Sequence, residues 1–193
     1  MVNRKPKASI IVVSYNDFDG TTGPCLSSLQ QDINFNDFEM IIVDNGSDEK
    51  TIQCLRSIET ISNLKVLKND SNLGFAHANN IGARYASAPI LIFLNSDTIV
   101  PIGAIGALCD KLEKKPDWGA VGPVTNSVGN EQLLKCEGKK AEEILIESEN
   151  WIKNSKHSHF QTTQLSFFCV ALPKATWDCV GCLDKTFGLG YYE

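Results

Sequence analysis

Three short runs decide most of what this chain can become. Residues 8–14 (ASIIVVS), 39–43 (EMIIV) and 89–94 (PILIFL) are almost wholly apolar and rich in aliphatic side chains. A strand with one wet face alternates apolar and polar residues. A run that is apolar at nearly every position suits a parallel strand covered on both faces. Parallel neighbours need a long crossover, usually a helix, and the segments between these runs can supply one. Asp48 can cap a helix to about Ile61, with Ile52, Leu55 and Ile58 on one face. Gly74 to Ala86 carries Phe75, Ala78, Gly82 and Tyr85 at helical spacing. Pro101 to Lys114 carries Ile105, Leu108 and Leu112, with the proline suited to a first turn and lysines near the end. Residues 24–32 make a shorter helix. Weaker strands are expected at 64–68 (LKVLK) and 118–124 (WGAVGPV). The order β-α-β-α-β-α-β-α-β predicts an α/β fold, with a mostly parallel central sheet and helices on both faces.

The pattern changes after about residue 125. Residues 126–140 are polar, and 141–155 form a helical pattern with Ile144, Leu145, Ser148, Trp151 and Ile152 along one stripe. Residues 162–172 predict one or two further strands. The expected organisation is a single domain over 1–193, whose second half, 126–193, extends the same sheet.

Composition excludes several classes. A net charge of −5 over 193 residues argues against general nucleic-acid binding, which usually shows as a basic face. No apolar stretch approaches the roughly 20 residues that span a bilayer. The seven cysteines are an odd number, spread along the chain and often in apolar company, as in IGALCDKL and SFFCVAL. They predict reduced, mostly buried thiols in a cytosolic protein. Cys179 and Cys182 form one CxxC, which is half of a four-ligand zinc site.

In an open parallel sheet, ligands bind beyond the carboxyl ends of the strands. The first strand is followed by Ser14, Tyr15, Asn16 and Asp17, and the second by Asp44, Asn45, Gly46, Ser47 and Asp48. After the third come Asn69, Asp70, Ser71, Asn72, Leu73 and Gly74, and after the fourth Asn95, Ser96, Asp97 and Thr98. These are turn and cap residues in any case. Asp48 reads as a cap, and Asn69, Asp70 and Ser71 as a solvated turn. Asp44 and Asp97 stand apart, because each closely follows an apolar strand whose packing fixes its carboxylate at the sheet edge. No GxGxxG or GxxxxGK[ST] loop is present, which disfavours dinucleotide-binding and P-loop proteins. If phosphates bind here, a divalent cation on Asp97 can offset their charge, since Mg²⁺ and Mn²⁺ combine one or two carboxylates with phosphate oxygens and water.

The ordered set SYN, IIVDNGSDE, NDSNLGFAHANNIGARYA, ILIFLNSDT, VGPVTNSVGNEQ and VGCLDKTFGLGYYE resembles family 2 glycosyltransferases of the GT-A fold over most of the chain. The LNSDT and GPVTN variant most resembles bacterial enzymes that add rhamnose or other sugars to surface polysaccharides. The resemblance implies a nucleotide-diphosphate-sugar donor, UDP- or dTDP-linked, with Mg²⁺ or Mn²⁺ and an inverting displacement. It assigns residues 1–125 to the nucleotide-sugar half and 126–193 to the start of an acceptor-side half. Ser14 and Asn16 match the loop that approaches the nucleotide. Asp44 matches the carboxylate that accepts from the base, flanked by Asn45 and Ser47. Asn72, Gly74 and Phe75 begin the segment beside base and ribose, with Asn79 and Asn80 on its helix. Asn95, Ser96 and Asp97 stand where relatives carry DxD, and Asp97 is the implied metal ligand.

In relatives the general base is the Asp of an ED pair after an aromatic stretch like GLGYYE. Glu193 matches the Glu before that base, so the chain is expected to be an N-terminal part of a longer protein. The implied acceptor is a glycan or a lipid-linked glycan; a lipid-linked one would bring the full-length protein to the cytoplasmic face of the membrane. Three other readings stay open: a nucleotide-sugar-binding fragment without turnover, a sugar nucleotidyltransferase, and a redox or zinc protein using the CxxC. SYNDFDG lacks the Gly-rich basic loop of the nucleotidyltransferases.

Overall fold

A computed structural model of the chain describes residues 5–34, 37–136, 138–154 and 158–189. Its centre is a five-stranded sheet built from β1 (Ala8–Ser14), β2 (Phe38–Asp44), β3 (Leu64–Lys68), β4 (Ile90–Asn95) and β5 (Cys169–Pro173). The strand order is β3-β2-β1-β4-β5. The first four strands are parallel, and β5 runs antiparallel to β4. The three apolar runs are the three central strands, as burial on both faces demands.

Alternate residues of each strand feed two apolar layers. Ile10, Val12, Met40, Ile42, Ile92 and Leu94 face α1 (Thr22–Asp32), α2 (Glu49–Ile58) and α4 (Ala104–Lys114), which contribute Leu29, Leu55 and Leu108. Ile11, Ile41, Val43, Leu91 and Phe93 face α3 (Phe75–Tyr85) and Trp177 of α6 (Lys174–Val180). The buried face of α3 is made of small residues, so it lies close to the sheet. A Cβ on Gly82 would fall 2.5 Å from Ile11 Cγ2. α5 (Ala141–Asn154) lies on the outside against α4 and buries none of its residues fully.

Four expectations need correction. Residues 118–124 form no strand: only Val121 pairs, with Ala171, by two backbone hydrogen bonds of 2.8 Å. Pro123 has no N–H to continue a ladder, and Gly119 and Gly122 weaken the segment further. Of residues 162–172, only those from Cys169 onward enter the sheet. Pro101 lies before α4, whose N-cap is Gly103 in the left-handed region. Trp151 stands off the half-buried stripe of α5 and is 47% exposed. No helix among the described residues is long and apolar enough to cross a membrane.

The helix starts show how side chains replace missing helical partners. Asp48 caps α2 by accepting from Thr51 N at 2.8 Å, which holds its carboxyl below the usual range. Asp32 closes α1 and caps α4, accepting from the N–H groups of Gly103 and Ile105. Burial raises the Asp32 carboxyl, and those two N–H bonds work against the rise. Asp32→Ala should therefore leave two part-buried donors without partners and lower stability by about 1–3 kcal/mol. Urea unfolding should show a lower midpoint with an unchanged slope; an unchanged midpoint would contradict this role.

Candidate functional site

The chain order places a switch in the sheet. From β1 it passes to β2 and β3 on one side, then returns to β4 on the other side of β1. The loop after β3 leads to α3 on one face, whereas the loops after β1 and β4 lead to α1 and α4 on the other; ligands of open α/β sheets bind beyond the carboxyl edge at such a switch. Ser14 is in register with Asp44, and Val13 with Asn95, so the ends of β2, β1 and β4 stand side by side. Two interstrand spacings put the β2 and β4 ends about 10 Å apart across β1.

On the β2 side, Asp44 is 1% exposed, and its Oδ1 accepts from Ser47 N at 3.0 Å. Ser47 Oγ accepts from Asn16 N at 3.0 Å, and Asn16 Oδ1 accepts from Asp48 N at 2.8 Å. These bonds hold Asn16 and Asp17 at positive φ, 54° and 42°, a conformation that costs energy outside glycine. The loop after β1 is thus bent back onto the loop after β2. The Ser14 hydroxyl pairs with Thr22 Oγ1 at 2.8 Å and joins β1 to α1.

Asn45 is the centre of a second group. Its Oδ1 accepts from Asn69 Nδ2 at 3.0 Å and from Leu73 N at 3.1 Å. Its Nδ2 donates to Asn72 Oδ1 at 2.9 Å and to Gly74 O at 3.4 Å. Asn72 Oδ1 also accepts from Gly74 N at 2.9 Å. Gly74 has φ 84° and lies so close to Gly188 that a Cβ would collide with its carbonyl. Phe75 begins α3, and its ring meets Phe167 edge-on with centroids 6.0 Å apart.

On the β4 side, the Asn95 Oδ1 atom is buried without a hydrogen-bond partner, while Asp97, two residues on, is exposed. Ser96, between them, is half-buried. Cys25 lies beneath this loop, its thiol donating to Asn95 O at 3.6 Å. Burial, and then the nearby Asp97 charge, push that thiol up to about 12, so it stays protonated and does not compete for a cation. The described residues contain no group of three or more His, Cys, Asp or Glu that could cage a metal. One exposed carboxylate beside an orphaned amide oxygen instead fits a divalent cation that takes its other ligands from phosphate and water.

The strand ends thus bring together Ser14, Asn16, Asp44, Asn45, Ser47, Asn72 and Gly74, with Asn95, Ser96 and Asp97 across β1. Asn79 and Asn80 turn their amides elsewhere, to Phe75 O at 3.1 Å and to Leu183 O at 2.8 Å. Glu193, Tyr191 and Tyr192 lie outside the described residues. The residue types at 69–71 predict a solvated turn for Asn69. It is buried, and its backbone N–H donates to Asp44 O at 2.8 Å. No sequence pattern assigns a role to Gln132, which is 1% exposed and joins Pro123 O to Ser166 N, each at 2.7 Å. A polar residue directly after a strand was the available signal for Asn69; nothing local marked Gln132. Cys179 and Cys182 are both exposed free thiols.

A model of the family described as "Glycosyl transferase family 2" matches residues 9–172. The chain is 36% identical over 93 residues to the uncharacterized glycosyltransferase YfnE of Bacillus subtilis, covering 48% of this chain and 24% of that protein. It is 31% identical over 120 residues to the teichoic acid poly(glycerol phosphate) polymerase of Staphylococcus epidermidis, covering 61% of this chain and 16% of that protein. The chain therefore spans a quarter or less of the length of these two relatives. Among solved structures, the mannosyltransferase PcManGT from Pyrobaculum calidifontis, in complex with GDP-Man and Mn²⁺, superposes with a TM-score of 0.67 at 19% identity. That superposition covers 96% of this chain and 50% of the other, and it shows the shared fold.

The Asn45 group carries a direct prediction. Asn45→Ala should strand the Leu73 N–H and the Asn69 amide and lower stability by about 2–4 kcal/mol, more than a typical single hydrogen bond. Amide exchange in residues 69–74 should accelerate in the variant even under conditions where it is fully folded. Unchanged exchange there would mean that the loop is held by something else.

Proposed function

The chain belongs to glycosyl transferase family 2, and on that premise we propose that it binds a nucleotide-diphosphate sugar across the ends of β2, β1 and β4 and serves in transfer of the sugar, with inversion, to a hydroxyl of a glycan or lipid-linked acceptor. The observation that carries this reading is the pairing of a buried carboxylate, Asp44, with the Asn95–Asp97 loop about two strand spacings away. That separation suits a nucleotide whose base lies at one end and whose diphosphate lies at the other. Asp44 has one oxygen on Ser47 N and a second able to accept from a base N–H. Asn16, after β1, is held against Ser47 and Asp48 at the β2 end, and Asn72, after β3, flanks that end on its outer side through Asn45.

Asp97 would hold the divalent cation, with Asn95 Oδ1 accepting from a water on it or from the ribose. When bound, that cation supplies positive charge against the leaving diphosphate. The Phe75 N–H at the start of α3 is not available for this purpose, because it already donates to Leu189 O at 3.2 Å. The acceptor oxygen attacks the anomeric carbon opposite the diphosphate, the bond to the diphosphate oxygen breaks, and the hydroxyl proton passes to a carboxylate base. The family resemblance assigns that base to the Asp of an ED pair.

A bacterial surface polymer is the acceptor class favoured by the LNSDT and GPVTN resemblance and by the teichoic acid relative. Rhamnose is among the donor sugars of that resemblance, and action at the cytoplasmic face of the membrane follows if the acceptor is lipid-linked. The bases to compare are those of UDP, dTDP and, from the PcManGT complex, GDP.

Two variants separate the ends of the site. Asp97→Ala should weaken nucleotide diphosphate binding about 10-fold or more in Mn²⁺, and little in chelator. Asp44→Ala should weaken it about 10-fold in both conditions and flatten the discrimination among bases. Isothermal titration measures both. Metal-dependent affinity preserved in the first variant, or base discrimination preserved in the second, would overturn the assignment.

A further inference from the structure

The segment after α6 turns back along α3 and is fastened to it at two points. In the middle of the helix, the Asn80 side chain makes both hydrogen bonds of an amide pair with one backbone residue. Its Nδ2 donates to Leu183 O at 2.8 Å, and its Oδ1 accepts from Leu183 N at 3.0 Å. Asn80 is 5% exposed, so both bonds are largely shielded from water. At the start of the helix, Phe75 N donates to Leu189 O, and Gly188 lies against Gly74 with no room for a Cβ. Between these points the segment turns through a short 3-10 helix, Lys185–Phe187, capped by Asp184 on Thr186 N at 2.9 Å. Leu183 packs on the apolar layer beneath α3.

The second fastening point is also part of the donor loop. Gly74 is held by Asn72 Oδ1 and by Asn45, so the 183–189 segment rests on the same residues that would close around a nucleotide. Asn80, one helical turn and a half further along, spends both of these side-chain hydrogen bonds on Leu183. It fixes the far end of the segment and thereby sets where the near end meets Gly74.

We propose that Asn80 is a positioning residue for the transfer reaction: it pins Leu183 to α3, so that the 183–189 segment lies across the base of the donor loop and nucleotide binding at that loop is coupled to the ordering of that segment. This rests on the donor-binding reading above. The Asn80 amide does not contact the donor; it acts through Leu183 and Gly188.

Hydrogen exchange followed by mass spectrometry, on the chain with Mn²⁺ and whichever of UDP, dTDP and GDP binds, tests the coupling. Nucleotide should slow exchange in peptides covering 183–189 by about 5-fold or more in the unaltered chain. Asn80→Ala should abolish that slowing while nucleotide affinity stays within about 3-fold and thermal unfolding stays cooperative. Asn80→Asp keeps an acceptor for Leu183 N but loses the donor to Leu183 O. It should lose most of the slowing, and it carries the test if Asn80→Ala does not fold. Three results would overturn the proposal: no slowing on nucleotide binding in the unaltered chain, full slowing in the folded variants, or a parallel loss of nucleotide affinity, which would make Asn80 a donor contact. Failure of all three nucleotides to bind the unaltered, folded chain would remove the donor reading itself, and the proposal with it.

Discussion

The Asn45 side chain is the constraint on which the proposed site depends. One buried amide binds Asn69 at the end of β3, Asn72 and Leu73 in the loop beyond, and Gly74 at the start of α3. Its own backbone N–H donates to Ser14 O at 2.8 Å, which ties it to β1. A buried amide left half-satisfied would cost more than it contributes, so the four bonds enforce one another. The result is a fixed relation between three strand ends, and Asp44, the preceding residue, inherits that fixity.

Charge is distributed around this frame in a definite way. At the start of α3 the first N–H, that of Phe75, is already taken by the Leu189 carbonyl. α2 is closed by the Asp48 carboxylate. The β4 end is different, because Asn95 Oδ1 is orphaned and Asp97 faces solvent. An acidic site of this kind repels a diphosphate unless a cation accompanies it. The cation proposed for this site rests on that contrast: the Asn95 amide oxygen is unsatisfied and the Asp97 carboxylate is exposed.

Much of this was legible in the sequence. The apolar runs at 8–14, 39–43 and 89–94 announced their burial, and their order announced the parallel crossovers. Asp48 was readable as a cap because its partner is three residues away. What was not legible depends on distant partners. The antiparallel setting of β5, the dissolution of 118–124 into a single bridge, and the Gln132 and Asn80 contacts all join residues whose association no local pattern encodes. Asn69 was misread for the same reason: its residue type suits a turn, and only Asn45, 24 positions earlier, turns it inward. Trp151 was misjudged because α5 packs against α4 along one narrow, half-buried stripe, which leaves the indole outside.

The central claim is that a nucleotide diphosphate spans β2 to β4 and is held at the β4 end through a cation. Isothermal titration of the chain with UDP, dTDP and GDP, first in Mn²⁺ and then in chelator, tests it most directly. The account predicts saturable one-to-one binding of at least one nucleotide, weakened about 10-fold or more when the metal is removed. Binding of equal strength in chelator would contradict the role given to the β4 end, and no binding of any of the three by the folded chain would contradict the donor site as a whole.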